Sequence, residues 1–194
     1  MSALDSGAVQ ASIDTKLDST PLSLNLQSNL LASGKSDITT WPIKLEASTS
    51  GVTLTGEGSI VSAGNQRSLK MTTRVQGNRL TSLNALLGTS LPAIGKFDWQ
   101  ADVSTDGDLH SAENLAMQMG GNRFRGHVRW QDKAPRPVLT LKLSSKHLML
   151  DRLFAPSSKI AARGTETDLL DLPVELGGLS DFDARLDLAV ERLA

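Results

Sequence analysis

The chain has 194 residues, no cysteine, and 20 basic against 21 acidic residues, for a net charge of -1. That balance argues against a nucleic-acid partner, which needs a basic excess to release counterions from phosphates, and against a polybasic membrane-surface role. The missing thiols exclude a disulfide scaffold, a thiolate zinc site and a cysteine nucleophile. With three Trp, four Phe and no Tyr, the chain is also poorly suited to an outer-membrane barrel with aromatic girdles or a lectin with aromatic platforms. Residues 1–8 lack the basic start and apolar run of a signal peptide. No apolar stretch is long enough to span a bilayer as a helix.

Along the chain the dominant period is two. Leu22, Leu24 and Leu26 alternate with Ser23 and Asn25; Ile43, Leu45 and Ala47 repeat the pattern, followed by Val52 and Leu54, then Leu69, Met71 and Val75. After an interruption come Phe97, Trp99, Ala101 and Val103, then Leu115, Met117 and Met119, and then Phe124, Val128 and Trp130. Leu139, Leu141 and Leu143 follow, and Ala184, Leu186, Leu188 and Val190 close the series. Strict alternation puts each set on one face of a strand, and the polar residues between them put the other face in water. That predicts antiparallel pairing, since parallel strands read as unbroken apolar runs. Reversal signals fall between the strands at Ser33-Gly34-Lys35-Ser36, Ala63-Gly64-Asn65, Asp106-Gly107-Asp108 and Gly120-Gly121-Asn122. Such short connections predict a meander.

The interruption has Leu80, Leu83 and Leu87 at helical spacing, Asn78 placed to cap the start, Gly88 at the end and Pro92 beyond. It predicts a short helix near residues 79–88, about two turns long, covering an edge or one mouth of the apolar surface. Residues 155–180 have no clear period and read as a loop or linker. The chain stops within a strand, so residues 181–194 read as the first strand of a continuing repeat in a longer protein, after a module spanning 1–154.

Signatures of catalysis are missing. There is no G-x-S-x-G pentapeptide, and His110, His127 and His147 have no metal-ligand spacing. The acidic residues, Asp168, Asp171, Asp181, Asp183 and Asp187 among them, do not follow an EF-hand pattern. Gly56-Glu57-Gly58 lacks the strand-to-helix junction of a phosphate loop; two glycines on the apolar phase instead thin the strand and let it bend. The chain is expected to have no enzymatic activity and no cofactor.

Residues 75–153 combine a leucine-rich helical segment ending in Leu-Gly and Leu-Pro, a strand opening at Phe97, and a turn through Gly121-Asn122 into Phe124-Arg125-Gly126. Arg136-Pro137 then leads into alternating leucines. With residues 42–61 and 182–193, this pattern resembles the AsmA family of Gram-negative envelope proteins. The resemblance implies an antiparallel sheet curled into an open trough, apolar inside and polar outside. It also implies an inner-membrane anchor, absent from this chain, a periplasmic body, and phospholipid traffic between the inner and outer membranes. On that reading the partners are phospholipid acyl chains and adjoining segments of the same full-length chain, with exposed sheet edges suited to a homodimer.

The apolar stripe has a plainer reading as half of a β-sandwich core. Meander-like connections, a single covering helix, and an apolar phase that mixes Leu with Gly56, Gly58, Ala101 and Gly126, leaving room in front of the wall, favour the trough. The candidate lipid-facing residues are those of the alternating series: Leu22, Leu24, Leu26, Ile43, Leu45, Val52, Leu54, Leu69, Met71, Val75, Phe97, Trp99, Met117, Met119, Phe124, Val128, Trp130, Leu139, Leu141, Leu143, Leu186, Leu188 and Val190. The alternative function is a non-catalytic structural or interaction module assisting outer-membrane protein assembly.

Overall fold

A computed structural model describes residues 8–17, 20–29, 38–49, 51–84, 91–132, 135–149 and 182–193. The nine alternating segments become strands, and a tenth that the sequence reading missed precedes them: β1 (Ala8–Leu17), β2 (Thr20–Asn29), β3 (Ile38–Thr49), β4 (Val52–Ala63), β5 (Gln66–Gly77), β6 (Phe97–Asp106), β7 (Leu109–Met119), β8 (Asn122–Gln131), β9 (Val138–Leu148) and β10 (Asp183–Leu193). They form one sheet whose spatial order is their order in the chain. The sheet is curled and does not close into a barrel, so β1 and β10 are its edges.

From β1 to β9 every neighbouring pair is antiparallel, as the alternation predicts. The tenth strand departs from that expectation and runs parallel to β9, with Leu186 opposite Leu141 and Leu188 opposite Leu143. Unbroken apolar runs mark parallel strands covered on both faces. An edge strand with one face in water keeps its alternation whichever way it runs. A parallel neighbour also needs a crossover rather than a hairpin, and the intervening residues 150–181, which contain the expected linker, lie outside the described residues. The Ser33–Ser36 reversal lies outside them as well.

The other hairpins turn where glycine supplies positive φ: Gly64 at 58°, Gly107 at 55°, and Gly120 and Gly121 at 55° and 79°. The described start of the expected helical segment is a 3₁₀ turn, Leu80–Leu83, with Leu80 and Leu83 both buried, followed by Asn84 in helical conformation; residues 85–90, on which the rest of that expectation falls, lie outside the described residues. In a 3₁₀ turn side chains three apart eclipse, which puts both leucines on the sheet, and Thr81 and Ser82 favour turns over an α-helix. Asn78 does not cap it: its N–H donates to Gly51 O at 3.1 Å, and the residue preceding the turn, Arg79, makes no side-chain cap.

This connection caps one rim of the sheet. Leu80, Leu83 and Ile94 pack with Val52 and Phe97 into the buried core, and Val75, Leu91, Trp99 and Met119 pack against it. Leu80 N–H donates to Ile94 O at 2.9 Å, and Leu91 N–H donates to Asn84 Oδ1 at 2.9 Å. On the same rim Asn122, fully buried, accepts from Met149 N–H at 2.7 Å and donates to Met149 O at 3.1 Å, which pins the end of β9.

Three glycines lie where a side chain would collide with its surroundings. A Cβ at Gly58 would lie 2.0 Å from Lys70 O, and one at Gly126 would lie 1.8 Å from Lys142 O. At both sites the backbone of the neighbouring strand already fills the space a side chain would need. At Gly77 the space is taken by the Phe97 ring, 2.6 Å from a Cβ position.

Replacing Gly126 by Ala should lower stability by about 2–3 kcal/mol, the upper part of the overpacking range, because backbone rather than a side chain must move. Gly95, with nothing within 4 Å of its Cβ position, should instead gain about 0.4–1 kcal/mol on the same change, through the unfolded chain. Urea unfolding of the two variants checks this; equal effects would remove the close-packing role assigned to Gly126.

Candidate functional site

Directly paired residues of neighbouring strands point to the same side of a sheet, so the register assigns every side chain to a face. One row runs Ala11, Leu26, Leu45, Gly56, Thr73 and Ala101 from β1 to β6. Another runs Trp41, Ile60, Leu69, Thr105, His110, Trp130, Leu139 and Ala184 from β3 to β10. Followed through the ladders, every predicted lipid-facing residue falls on the same side. Leu22, Leu24 and Leu26 of β2 meet Ile43 and Leu45 of β3, and Val52 and Leu54 of β4 lead to Leu69, Met71 and Val75 of β5. Phe97 and Trp99 pair with Met119 and Met117, and Phe124 and Val128 with Met117 and Ala112. Leu139, Leu141 and Leu143 then face Trp130, Val128 and Gly126, and beyond them lie Leu186, Leu188 and Val190. The result is one apolar wall on a single face of the curled sheet.

The wall stays in phase across β7 only because of a bulge that the sequence reading missed. Ala112 and Leu115 both face inward although three residues apart, and the register shifts between them. Asn114 takes the left-handed conformation at φ 51°, which Asn tolerates better than most side chains. Glu113 and Asn114 thus both face outward, where Glu113 Oε1 accepts from Arg129 Nε at 2.9 Å and Asn114 donates to Asp102 Oδ2 at 2.8 Å. Two adjacent polar residues inside an alternating run were the available signal.

Most wall residues are half-buried, whereas the outward residues between them are mostly exposed; Thr73 on the wall is half-buried while Thr72, outside, is exposed. Among the described residues no second sheet lies over the wall. Exposure rises toward the edges, to 59% at Val9 and 52% at Ile13 on β1, and 70% at Leu186 on β10. The expectation that the wall glycines leave room is corrected: Met71 Sδ lies 2.6 Å from a Cβ position at Gly56, and backbone fills the positions at Gly58 and Gly126. Two indole nitrogens on the wall, Trp41 Nε1 and Trp99 Nε1, are buried without a hydrogen-bond partner among the described residues.

The outer face is held by polar pairs. Arg74 clamps Asp98 through Nε–Oδ1 at 2.9 Å and Nη2–Oδ2 at 2.5 Å, while Lys44 lies 3.6 Å from Glu57. A cleft of about 600 Å³ on this face is lined mainly by Asn25, Gln27, Lys44, Glu46, Thr72 and Arg74, a polar set unsuited to hydrocarbon. Among the described residues no three His, Asp or Glu side chains converge as metal ligands, and no helix is long and apolar enough to cross a membrane. The chain matches no family model, no characterised protein and no solved structure.

Donation from Arg74 holds the Asp98 carboxyl below its ordinary value, and donation from Asn114 and Thr72 does the same for Asp102. A carboxyl depressed in the folded state contributes stability above the unfolded value of about 3.9, and that contribution is lost as pH falls through the folded value. The wild-type urea midpoint should therefore drop on going from pH 7 to pH 3, and a D98N/D102N variant should drop by less. Equal drops would show that these pairs do not set the acid limit.

Proposed function

We propose that this chain is a section of a periplasmic, AsmA-like lipid carrier. In this reading the apolar wall holds phospholipid acyl chains on their way between the inner and outer membranes, and the full-length protein is tethered to the inner membrane. The observation that carries the reading is the uniform facing of the apolar phase: all ten strands contribute to one apolar wall that no second described layer covers. A contiguous apolar surface of this kind, bordered by polar residues, is what proteins present to lipid or to a partner. Each methylene laid against it gains about 0.8 kcal/mol, so a single acyl chain supplies ample driving force. The reaction is transfer, with no bond made or broken, so the chain acts as a guide rather than an enzyme.

A second reading, a structural or interaction module assisting outer-membrane protein assembly, is favoured by the β10 edge. There Leu186, Leu188 and Leu193 are 70%, 46% and 68% exposed, and an unpaired strand edge is a template for adding another strand. The same edge could accept an adjoining segment of the full-length chain or a second copy.

The two readings separate experimentally. Protein purified from cells should carry phospholipid visible by native mass spectrometry and take up a fluorescent phospholipid from vesicles. Replacing Leu141 or Leu186 with Asp should cut that uptake by at least about tenfold, the worth of a methylene or two plus the penalty of a carboxylate on the wall. Folded protein with no lipid and no uptake would sink the carrier reading, and retained partner capture in the variants would favour the module.

A further inference from the structure

The wall is not uniform from rim to rim. At the capped rim its residues are Val52, Phe97 and Met119, under Leu80, Leu83 and Ile94. At the far rim, which carries the Gly64 and Gly107 turns, the same face ends in Ser28, Thr39, Ser62, Arg67, Thr105 and His110. Thr39, Ser62 and Arg67 form one directly paired row on β3, β4 and β5, so hydroxyls and a guanidinium stand side by side where the wall meets water.

We propose that a phospholipid binds with its tails against the middle of the wall and its phosphate at the Thr39–Ser62–Arg67 row, and never in the reverse sense. The proposal rests on the lipid-carrying reading and adds an orientation and a head-group contact to it. Charge selects the row. Arg67 is exposed and has no carboxylate partner among the described residues, whereas Arg74, farther along the same strand on the outer face, is committed to Asp98. Farther along the far rim Asp132 accepts from Trp130 Nε1 at 2.6 Å and lies 3.4 Å from His110 Nε2; its carboxylate makes the β7–β8 stretch a poor place for an anion. A phosphate therefore favours β3–β5, where a guanidinium and hydroxyls offer charge-assisted hydrogen bonds.

The dimensions agree. On β4 the wall between the cap and the rim runs from Leu54 to Ile60, about 20 Å of strand at about 3.3 Å per residue. A tail spans about 15 Å in one leaflet, half of a core about 30 Å thick. At the opposite rim the cap is already filled by its own leucines, and its backbone groups are paired, so a head group there would be desolvated without partners.

The chain has no cysteine, so single labels can be placed cleanly. A fluorophore at Ser62→Cys should be quenched more strongly by phosphatidylcholine bearing a nitroxide on its head group than by one bearing it near the tail end. A fluorophore at Thr49→Cys, at the capped rim, should show the opposite order. Arg67→Glu, at an exposed site, should weaken phosphatidylcholine binding about tenfold, as expected for one charge-assisted hydrogen bond, and leave diacylglycerol binding unchanged. Equal or reversed quenching overturns the orientation while the carrier reading stands. Quenching by neither lipid at either position overturns the carrier reading itself. An equal loss for both lipids in Arg67→Glu overturns the phosphate contact.

Discussion

A sheet that sends all its apolar residues to one side must keep its two-residue alternation in step from one edge to the other, because a slip of one residue turns a strand inside out. Here ten strands keep step across roughly 43 Å of sheet at about 4.8 Å per strand. Every later property follows from that phase. Where the sequence breaks the alternation, at Glu113-Asn114, the backbone absorbs the extra residue in a bulge with Asn114 in the left-handed region. Without the bulge, Leu109 and Ser111 would take the wall positions of His110 and Ala112, and Glu113 would turn away from Arg129.

Phase alone would give a flat sheet with one greasy side, and a flat exposed wall of this size invites aggregation. Close packing of neighbouring strands tempers this. The glycines at 58 and 126 sit on the inward phase of β4 and β8, where the approaching Lys70 and Lys142 carbonyls leave no space for a Cβ. The cap completes the work at one rim: Phe97 lies over Gly77, with its ring centroid 5.1 Å from that of Trp99. The largest buried cluster thus sits at one rim, Ala101, Leu115 and Phe124 are buried beyond it, and most of the remaining wall is half-buried.

The strands and their inward residues were legible because period two is a local signal, repeated nine times with little interruption. The facing of Leu24, Met71 or Leu141 needed nothing beyond its immediate neighbours. The features that escaped depend on contacts between distant parts of the chain. That β10 runs parallel to β9 is set by a crossover and not by anything within Asp183–Leu193. The segment after β5 opens as a 3₁₀ turn whose Leu80 and Leu83 serve the sheet beneath them, with Arg79 rather than Asn78 in the capping position. The apparent emptiness of the wall glycines was misleading, since the space an absent side chain leaves is taken by whatever packs beside it. The polar rim at Thr39, Ser62 and Arg67 was visible as residues but had no meaning until the register put them in one row.

A wall that carries something past itself must hold it without trapping it. Aromatic side chains lie toward both rims, Phe97 and Trp99 at the cap and Trp41 and Trp130 toward the far side. Between them the lining is mainly aliphatic and methionine, with Met71 and Met117 at its centre. Unbranched thioether side chains adapt to what lies against them, and a leucine surface gives nearly the same gain per methylene wherever the chain rests. Sliding from β3 toward β10 then exchanges one apolar contact for another of equal worth. Motion toward the rims is different, because it brings tails onto hydroxyls and a guanidinium on one side and into a filled core on the other. The same side chains that make binding favourable thus leave the path across the strands nearly level and the path along them walled at both ends.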